Sequence, residues 1–538
     1  MAERRRKFWG WGYEDERLGD DEERRVLEGW ADRLGVDAEA FERLPVPDAG
    51  DIKLGAPRIS PPSRVADICS TDTYDRLLHT YGGSIPDLAR AFMKNFANAP
   101  DYVAYAKTEE DVIAVLDWAT GAGVAVIPFG GGSSVTGGVE PVVGDGFNGA
   151  ISLDLGGLDK VLEIDRTSRA ARIQAGIFGP ALEAALKPEG LTLRHFPQSF
   201  THSTLGGWIA TRAGGHFATL YTHIDDFVEN LRTVTPAGVM ESRRLPGSGA
   251  GPSPDRLMLG SEGALGVITE AWMRLQDRPT QRAAASVFFA DIYAGAEAIR
   301  AVGQAGLYPS NLRLLDPMEA KITGAGDGTR ALAVLAFESA DHPVDAWMGR
   351  ALEIVADHGG VFDPEEVANP DAHISGFAGV WRTAFIRMPY YRDFLTANAV
   401  INDTFETAIT WDRFRAFHDD VKAAAEAAME EATGKPGVIT CRFTHVYPDG
   451  PAPYFTYHCL SRHGALLEHW RYIKERASDA VIAGGATITH HHAVGRDHMP
   501  WYERQRPSLF GEAVAAAKAK LDPAGILNPG VIVPAPGK

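Results

Sequence analysis

The sequence contains few cysteines and no long apolar run. Its 538 residues include three cysteines, Cys69, Cys441 and Cys459, which lie far apart and form no C-x-x-C pair. We therefore expect neither a disulfide framework nor a cysteine-based zinc cluster, and a reducing compartment fits this composition. The chain lacks an apolar run of about 18 residues, a secretory signal and a C-terminal peroxisomal address, so we expect a cytoplasmic protein without a membrane-spanning helix.

Basic residues are fewer than acidic residues. The chain has 53 lysines and arginines against 71 acidic residues, a net charge of −18 at pH 7. This balance argues against nucleic acid as a partner, although it is compatible with a local basic pocket. The length is too great for one hydrophobic core, so at least two domains are expected.

A glycine-rich loop follows the strand-like segment 124–127. Glycines allow positive φ and close approach of a ligand, and successive N–H groups with nearby hydroxyls can bind an anion such as a diphosphate. No Gly-Lys-Ser/Thr follows, and Val135 replaces the third glycine of the G-x-G-x-x-G pattern, so the loop belongs to neither common nucleotide-binding motif. The alternative is a glycine-rich hairpin turn. The loop residues of interest are Pro128, Gly130, Gly131, Gly132, Ser133 and Ser134.

Two further glycine blocks follow. Residues 197–215 place several hydroxyls before Gly206 and Gly207 at the start of a short helix, an arrangement that suits a phosphate or a flavin edge. A capped helix packed on a sheet explains Ser203 or Thr204 equally well. In the block 259–269, glycines recur every three residues before a strand.

Hydrophobic patterning predicts an α+β protein. Strands at 102–106 and 124–128 flank a helix at 109–122, which is a β-α-β opening. Further along, a long helix at 411–432 precedes paired strands at 437–446 and 454–460, and an alanine-rich helix covers 508–520. We expect an N-terminal arm over 1–97, domains over 98–277 and 278–500, and a C-terminal segment over 501–538.

The joint order of these blocks resembles the FAD-binding family that includes vanillyl-alcohol oxidase, D-lactate dehydrogenase and alkyl-dihydroxyacetone-phosphate synthase. The resemblance rests on 128–136, 203–207, 260–270 and 522–529. It implies a PCMH-type FAD-binding domain of two subdomains, an antiparallel-sheet cap domain for substrate, an N-terminal helical arm and a C-terminal segment that returns to the FAD domain. No histidine or cysteine can be assigned as a covalent anchor, so non-covalent FAD is expected. The implied cofactor-binding residues are the six loop residues above and Pro197, Ser199, Thr201, Ser203, Thr204, Gly206, Gly207, Thr211, Glu262, Gly263, Gly266, Val267, Ile268 and Asn528.

Within that family the chain is most similar to the alkyl-dihydroxyacetone-phosphate synthase branch. The blocks 200–214, 312–316, 391–393, 453–457 and 489–495 carry this likeness. It implies that the acyl chain of acyl-dihydroxyacetone phosphate is exchanged for a fatty alcohol through a flavin N5 adduct without net redox change, in ether lipid synthesis. The implied catalytic residues are Tyr454, His490, His491, His492, Arg313 and Arg392.

These residue types suit that chemistry. Arginine binds phosphate through a planar fork, and a positioned tyrosine or histidine can remove and return a proton next to a carbonyl. The alternatives are cross-strand packing for Tyr454 and a metal site or solvated loop for the histidine triplet. In a strand, His490 and His492 would share one face; a third metal ligand is not identifiable, and we expect no metal.

Two departures from the synthase pattern affect the assignment. The segment 81–87 lacks the histidines expected before the FAD domain, and the segment between Arg313 and Arg392 is short, with a tight polar loop at 324–329. In the synthases this segment is longer and covers the active site and the route for lipid chains. Its short form here therefore bears on the long-chain alcohol substrate, and it does not bear on the FAD assignment. A D-lactate dehydrogenase-like FAD enzyme that oxidises a 2-hydroxy acid is the alternative function, and a flavin scaffold without turnover is a third. The family also implies a homodimer, with a small lipid phosphate as substrate and peripheral membrane contact left open.

Overall fold

The N-terminal arm begins with a short hairpin. A computed structural model of the chain describes residues 4–221, 223–368 and 377–534. An antiparallel bridge joins Arg6 to Tyr13, and Phe8 and Trp9 are buried in a small core with Leu77. The helices of the arm are α1 (Asp20–Leu34), α2 (Ser63–Ala66), α3 (Thr73–Leu78) and α4 (Ile85–Phe92).

The first sheet presents the glycine-rich loop. Its strands are β1 (Cys69–Ser70), β2 (Tyr102–Tyr105), β3 (Ala125–Phe129) and β4 (Ala150–Asp154), in the order β1-β2-β4-β3. The three longer strands are parallel, and helix α5 (Glu109–Ala122) crosses from β2 to β3. A capping box between Thr108 and Asp111 starts this helix, and left-handed Gly123 ends it. The loop therefore begins at the carboxyl end of β3, where α/β sheets commonly bind ligands.

A second, antiparallel sheet holds the other two glycine blocks. Its strands β5 (Val161–Asp165), β6 (Ala170–Gln174), β8 (Val228–Thr235), β9 (Gly238–Glu241) and β10 (Val267–Arg274) are ordered β5-β6-β10-β8-β9, while β7 (Leu191–Thr192) pairs with β11 (Gln276–Asp277). The helices here are α6 (Gly179–Leu186), α7 (Leu205–Thr211), α8 (Ala218–Tyr221), α9 (Ile224–Phe227) and α10 (Pro254–Met258). Trp208 and Ile209 of α7 are buried in the apolar core against this sheet.

A third sheet of six antiparallel strands follows. Its strands are β12 (Gln281–Phe289), β13 (Asn311–Leu315), β14 (Ala331–Ser339), β15 (Val400–Glu406), β16 (Val438–Val446) and β17 (Pro451–Leu460), in the order β12-β14-β13-β16-β17-β15. The accompanying helices are α11 (Ile292–Gln304), α12 (Pro317–Ile322), α13 (Asp345–Asp357), α14 (Pro364–Ala368), α15 (Phe377–Arg387), α16 (Arg392–Ala397), α17 (Phe414–Thr433), α18 (Leu466–Ala483), α19 (Met499–Gln505) and α20 (Ser508–Leu521). Short 3₁₀ turns lie at 38–40, 49–51, 187–189, 200–202, 388–391 and 411–413.

Alternation along the third sheet separates an apolar face from a polar one. Cys441 and Phe443 belong to the core shared with α17 and α18, whereas Arg442 and Thr444 face the other way. The register places Arg442 opposite Tyr454, and Tyr454 opposite Glu406, so that these three residues form one row across β16, β17 and β15. Three ionisable groups thus meet on one polar face.

The observed elements confirm the predicted α+β class. Helix α5 covers the predicted residues, and the paired strands β16 and β17 begin and end close to their predicted bounds. The long helix starts at Phe414, after a 3₁₀ turn at 411–413. Residues 490–492 form bends in a loop, so the strand geometry considered for the histidine triplet does not apply. The four domain bounds stay predictions.

No helix within the described ranges is long and apolar enough to cross a membrane.

Candidate active site

One pocket lies between the glycine blocks and the polar face of the third sheet. Of the predicted cofactor-binding residues, eighteen line it: Pro128, Gly130, Gly131, Gly132, Ser133, Ser134, Pro197, Ser199, Ser203, Thr204, Gly206, Gly207, Thr211, Glu262, Gly263, Gly266, Val267 and Ile268. Of the predicted catalytic residues, five line it as well: Arg313, Arg392, Tyr454, His491 and His492. Segments that are distant in the sequence therefore meet in one cavity.

Three predicted residues do not line this pocket. Thr201 is exposed, and its hydroxyl is 3.4 Å from that of Tyr390. Asn528 is buried behind the pocket, where its amide donates to the carbonyls of Gly138 and Glu262. His490 lies behind His491 and bonds Tyr447. Their predicted roles in cofactor binding and catalysis stay predictions. The observed contacts link these residues to other segments of the chain near the pocket.

The first loop packs directly on the second glycine block. A Cβ on Gly131 would lie 1.8 Å from the carbonyl oxygen of His202, and one on Gly130 would lie 2.4 Å from Thr204 Oγ1. A side chain at either position would therefore require the loop or the residue facing it to shift. The glycines therefore bring two backbone segments together at the cofactor side of the pocket.

Thr204 and Ser203 have different local roles. Thr204 is the N-cap of α7, and its hydroxyl accepts from the N–H of Gly207. The Ser203 hydroxyl donates to the carbonyl of Ser199 and accepts from the indole N–H of Trp208. The capping interpretation is therefore correct for Thr204, and both residues also line the pocket.

Glu262 joins the third glycine block to the loop after the histidine triplet. Its backbone is left-handed, with φ of 50°. Its carboxyl group accepts the N–H groups of Val494 and Gly495 at 2.8 and 2.9 Å. Burial raises the pKa of Glu262 to about 7, more than the two N–H groups lower it. This carboxyl is therefore protonated in a substantial fraction of molecules near pH 7.

The donor set of the pocket fits FAD. Among its lining residues Glu262 is the one acid, whereas three arginines, Arg313, Arg392 and Arg442, supply positive charge. Backbone N–H groups and hydroxyls surround the first loop, where a diphosphate needs many donors and little bulk. The residues of the glycine blocks could therefore hold the diphosphate of a dinucleotide.

Arg313 and Arg392 reach the pocket from different elements. Arg313 in β13 is 2 % exposed; its Nε donates to the side-chain oxygen of Asn311 at 3.0 Å, and its guanidinium also contacts His216. Burial, with the nearby charge of Arg442, lowers the pKa of Arg313 to about 9. Arg392 at the start of α16 lies 3.4 Å from Asp403, and its buried Nε has no hydrogen-bond partner among the described residues. Both are suited to an anionic ligand.

Tyr454 is packed beneath an arginine. The Arg442 guanidinium carbon lies 3.9 Å from the centroid of the Tyr454 ring, and its NH1 pairs with buried Glu319 at 2.6 Å. Burial raises the pKa of the Tyr454 phenol, and the Arg442 charge opposes that rise. Tyr454 is thus a cross-strand residue that also lines the pocket.

The histidine triplet is folded around one carboxylate. Glu406 accepts the backbone N–H groups of His490, His491 and His492, and the hydroxyl of Thr489. Burial favours the protonated acid, but His491 and His492 outweigh it and hold the pKa of Glu406 well below its usual value. Burial lowers the pKa of His490 and of His492 well below that of a free imidazole. An ionised Glu406 therefore fixes the loop through its N–H groups, and burial keeps these two rings neutral against the opposing charge of Glu406.

Three imidazoles come close enough to be considered as metal ligands. One nitrogen each of His445, His490 and His491 lies within 4.8 Å of the others. His445 already contacts the carbonyl of Gly215 through Nε2 and the Thr444 hydroxyl through Nδ1, both at 3.1 Å. His490 and His491 contact each other through Nδ1 at 3.0 Å. Hydrogen bonds within the protein therefore explain why these three imidazoles lie close together.

Several lining residues were missed by the sequence analysis. Alternation along the strands would have indicated the sheet residues once the register was known. Trp11 lies in the N-terminal arm, where the sequence analysis predicted no site residue. The missed residues include Trp11, His216, Asn402, Thr404, Arg442, Thr444, His445 and Thr456.

The N-terminal hairpin contacts the first loop and the segment that carries Arg392. The Arg6 guanidinium donates to the carbonyl of Gly131, and Lys7 pairs with Asp393, next to Arg392, at 2.7 Å. The loop 324–329, which follows α12, does not line this pocket, and residues 369–376 of the short cover segment lie outside the described residues.

Comparison with known proteins assigns the chain to a family. Residues 100–242 match the family described as FAD binding domain, and residues 278–532 match the one described as FAD linked oxidases, C-terminal domain. The alkyldihydroxyacetonephosphate synthases of Dictyostelium discoideum and Caenorhabditis elegans are 31% and 30% identical, over 87% and 85% of this chain and 79% and 80% of theirs. A solved structure of an alkyldihydroxyacetonephosphate synthase, 25% identical, superimposes with a TM-score of 0.79 over 97% of this chain and 98% of the other. The chain belongs to the alkyldihydroxyacetonephosphate synthase family of FAD-dependent enzymes.

Proposed function

We propose that the protein exchanges the fatty acid of an acyl-dihydroxyacetone phosphate for a fatty alcohol, with no net electron transfer. The observation that carries this proposal is that the glycine loops, buried Arg313, partly buried Arg392 and Tyr454 line one pocket. The arginines can bind a phosphate monoester, and the tyrosine can act on a proton next to a carbonyl group.

The substrate phosphate is proposed to bind Arg313 and Arg392. The buried Nε of Arg392 is an available donor, and the lowered pKa of Arg313 reflects a charge that burial disfavours. A dianionic phosphate relieves that cost and accepts hydrogen bonds from both guanidinium groups. The phosphate would thereby anchor the three-carbon unit near Tyr454.

A proton next to the substrate carbonyl is proposed to be removed and returned by the Tyr454 and His491 pair. The two rings are stacked, with centroids 6.1 Å apart. Glu406 lies 3.3 Å from His491 Nδ1, which favours a proton on Nδ1 and leaves Nε2 as the acceptor. Bound FAD would supply an electron-accepting ring system beside the substrate carbon.

The exchange assay uses the purified FAD protein without oxygen or electron acceptor. Acyl-dihydroxyacetone phosphate and a fatty alcohol should yield an alkyl product and one equivalent of free fatty acid. The Arg392→Met variant should raise the KM for the acyl phosphate, whereas Arg387→Met, on an exposed arginine paired with Glu22, should not. Dye reduction by a D-2-hydroxy acid, with no fatty acid released from the acyl phosphate, would instead indicate the oxidative alternative.

Three finer expectations are also proposed: a homodimer, a cytoplasmic location and peripheral contact with membranes. The lipid nature of the proposed substrate supports the last of these. Sedimentation of the purified protein and its flotation with phospholipid vesicles test assembly and membrane contact directly.

A further inference from the structure

Tyr447 lies between two imidazoles. Its hydroxyl is 2.7 Å from Nε2 of His490 and also bonds Nε2 of His223. Tyr447 is not part of the pocket lining, and both Tyr447 and His223 are partly exposed. Because a phenol hydroxyl can donate one hydrogen bond while it accepts another, Tyr447 can join the two rings in one chain.

The other end of this chain reaches the pocket. Nδ1 of His490 is 3.0 Å from Nδ1 of His491, and His491 lines the cavity beside Tyr454. Glu406 holds the backbone of both histidines in place. An unbroken series of hydrogen bonds therefore runs from His491 through His490 and Tyr447 to His223.

We infer that Tyr447 and His223 form a proton outlet, which carries the substrate proton from His491 to solvent and returns one by the same route. The inference rests on the proposed function, which supplies the proton. His490 is the link between this outlet and the pocket. This gives a role to a member of the histidine triplet that does not face the cavity.

The transfer is balanced at every atom. His491 Nε2 takes the substrate proton, while the proton on its Nδ1 passes to His490 Nδ1. The proton on His490 Nε2 passes to the Tyr447 oxygen, and the Tyr447 proton passes to His223 Nε2. His223 gives up a proton at its outer end. No group is oxidised or reduced, and the reverse series restores each ring.

The surroundings keep the relay neutral. Burial lowers the pKa of His223 to about 4 and lowers that of His490 well below its usual value. Burial also raises the pKa of Tyr447 well above that of a free phenol. His445 packs against His490 and His223, with ring centroids 4.9 and 5.5 Å away, and its own nitrogens are bonded elsewhere. Neutral rings with one donor and one acceptor each can pass a proton without holding a charge.

The test follows exchange of the substrate proton with D₂O in the FAD protein. Acyl-dihydroxyacetone phosphate is recovered and its deuterium content is measured by mass spectrometry. The Tyr447→Phe variant should exchange at least ~10-fold more slowly, within the range of single proton-transfer groups, with its KM unchanged. Added imidazole should restore part of the rate, which a purely structural defect would not allow. His223→Gln should show the same pattern.

The Tyr81→Phe variant is the matched control. Tyr81 is a buried tyrosine whose hydroxyl bonds the carbonyl of Asn95, away from the pocket, so its loss should leave exchange unchanged. Exchange in Tyr447→Phe at the wild-type rate, with normal FAD content, would overturn the outlet. So would a chelator-sensitive activity restored by Zn²⁺, since the imidazoles would then serve a metal. Absence of exchange and turnover in the unmodified protein would instead count against the proposed function.

Discussion

Arg442 and Tyr454 are direct partners across β16 and β17, and the guanidinium carbon of Arg442 lies 3.9 Å from the centroid of the Tyr454 ring. Glu319 holds the other side of the guanidinium through a buried ion pair. The position of the Tyr454 phenol in the pocket therefore depends on the Arg442 guanidinium, which Glu319 of α12 holds in place. A flat guanidinium over an aromatic face is favourable by about 0.5–2 kcal/mol.

The Arg442→Lys variant should separate charge from stacking. Lysine keeps a positive charge beside Glu319 but loses the planar contact with Tyr454. We expect kcat to fall about 10-fold or more because the planar contact with the phenol is lost, while the alkaline limb of the pH profile stays in place because the retained charge still opposes the burial that raises the pKa of Tyr454.

A surface pair supplies the control for Arg442. Arg476 lies over the Tyr472 ring, 5.4 Å from its centroid, and its side chain is 58 % exposed. The Arg476→Lys change should leave kcat as it is. An unchanged kcat in Arg442→Lys as well would show that the stacking has no role in the reaction.

The Gly131→Ala variant should lose FAD. Its new Cβ would lie 1.8 Å from the His202 carbonyl, so the loop must move away from the second glycine block. Flavin content of the purified protein measures the effect. Gly146→Ala is the matched change in open space, with nothing within 4 Å of the new atom, and should bind FAD normally. Equal flavin content in both variants would contradict the role of this close approach.

The Arg6→Met variant should weaken FAD binding by about 10-fold, the equivalent of one hydrogen bond to a charged group. The Arg6 guanidinium draws electron density from the Gly131 carbonyl, which strengthens the N–H of the same peptide as a donor to a diphosphate. Titration of the flavin-free protein with FAD gives the Kd. Exposed Arg17, which contacts the backbone of Glu14, is the control. An equal Kd for FAD in Arg6→Met and Arg17→Met would show that the N-terminal arm does not contribute to cofactor binding.

The raised pKa of Glu262 predicts that this carboxyl makes a pH-dependent contribution to the free energy of unfolding. Its pKa is raised from 4.5 to about 7 in the folded protein, so the folded state binds more protons than the unfolded chain between these values. The contribution of Glu262 is therefore greatest below pH 4.5 and decreases through about pH 7, by an amount on the order of 3 kcal/mol. Glu262→Gln should remove this dependence.

Urea unfolding of the flavin-free proteins over that pH range tests the Glu262 prediction. The difference in unfolding free energy between wild type and Glu262→Gln should shift in favour of the variant as pH rises. A constant difference would show that the pKa of Glu262 is the same in the folded and the unfolded protein.

Local sequence was enough to locate the glycine blocks. Gly131 is needed for backbone reasons that act within a few residues of a strand end, so its pattern is visible without the fold. Arg442 was missed because its importance depends on the register that pairs it with Tyr454. The contact from Arg6 to Gly131 joins an arm and a loop that no local pattern connects.

The histidine triplet shows a different limit. Its residues were singled out from the sequence, where a strand and a loop were both considered, and the observed loop turns His490 away from the pocket. The carboxylate that shapes this loop is Glu406, on a strand far along the chain. Side-chain direction in a loop is set by such distant partners, so periodicity could not supply it.

The absorption spectrum of the bound flavin, recorded without oxygen, tests the central claim most directly. Acyl-dihydroxyacetone phosphate is added first and a fatty alcohol second, with fatty acid and alkyl product measured in the same sample. We predict a spectral change with the first substrate, its reversal by the second, and one fatty acid released for each alkyl product formed. Lasting reduction of the flavin by a D-2-hydroxy acid, with no response to the acyl phosphate, would contradict the exchange reaction.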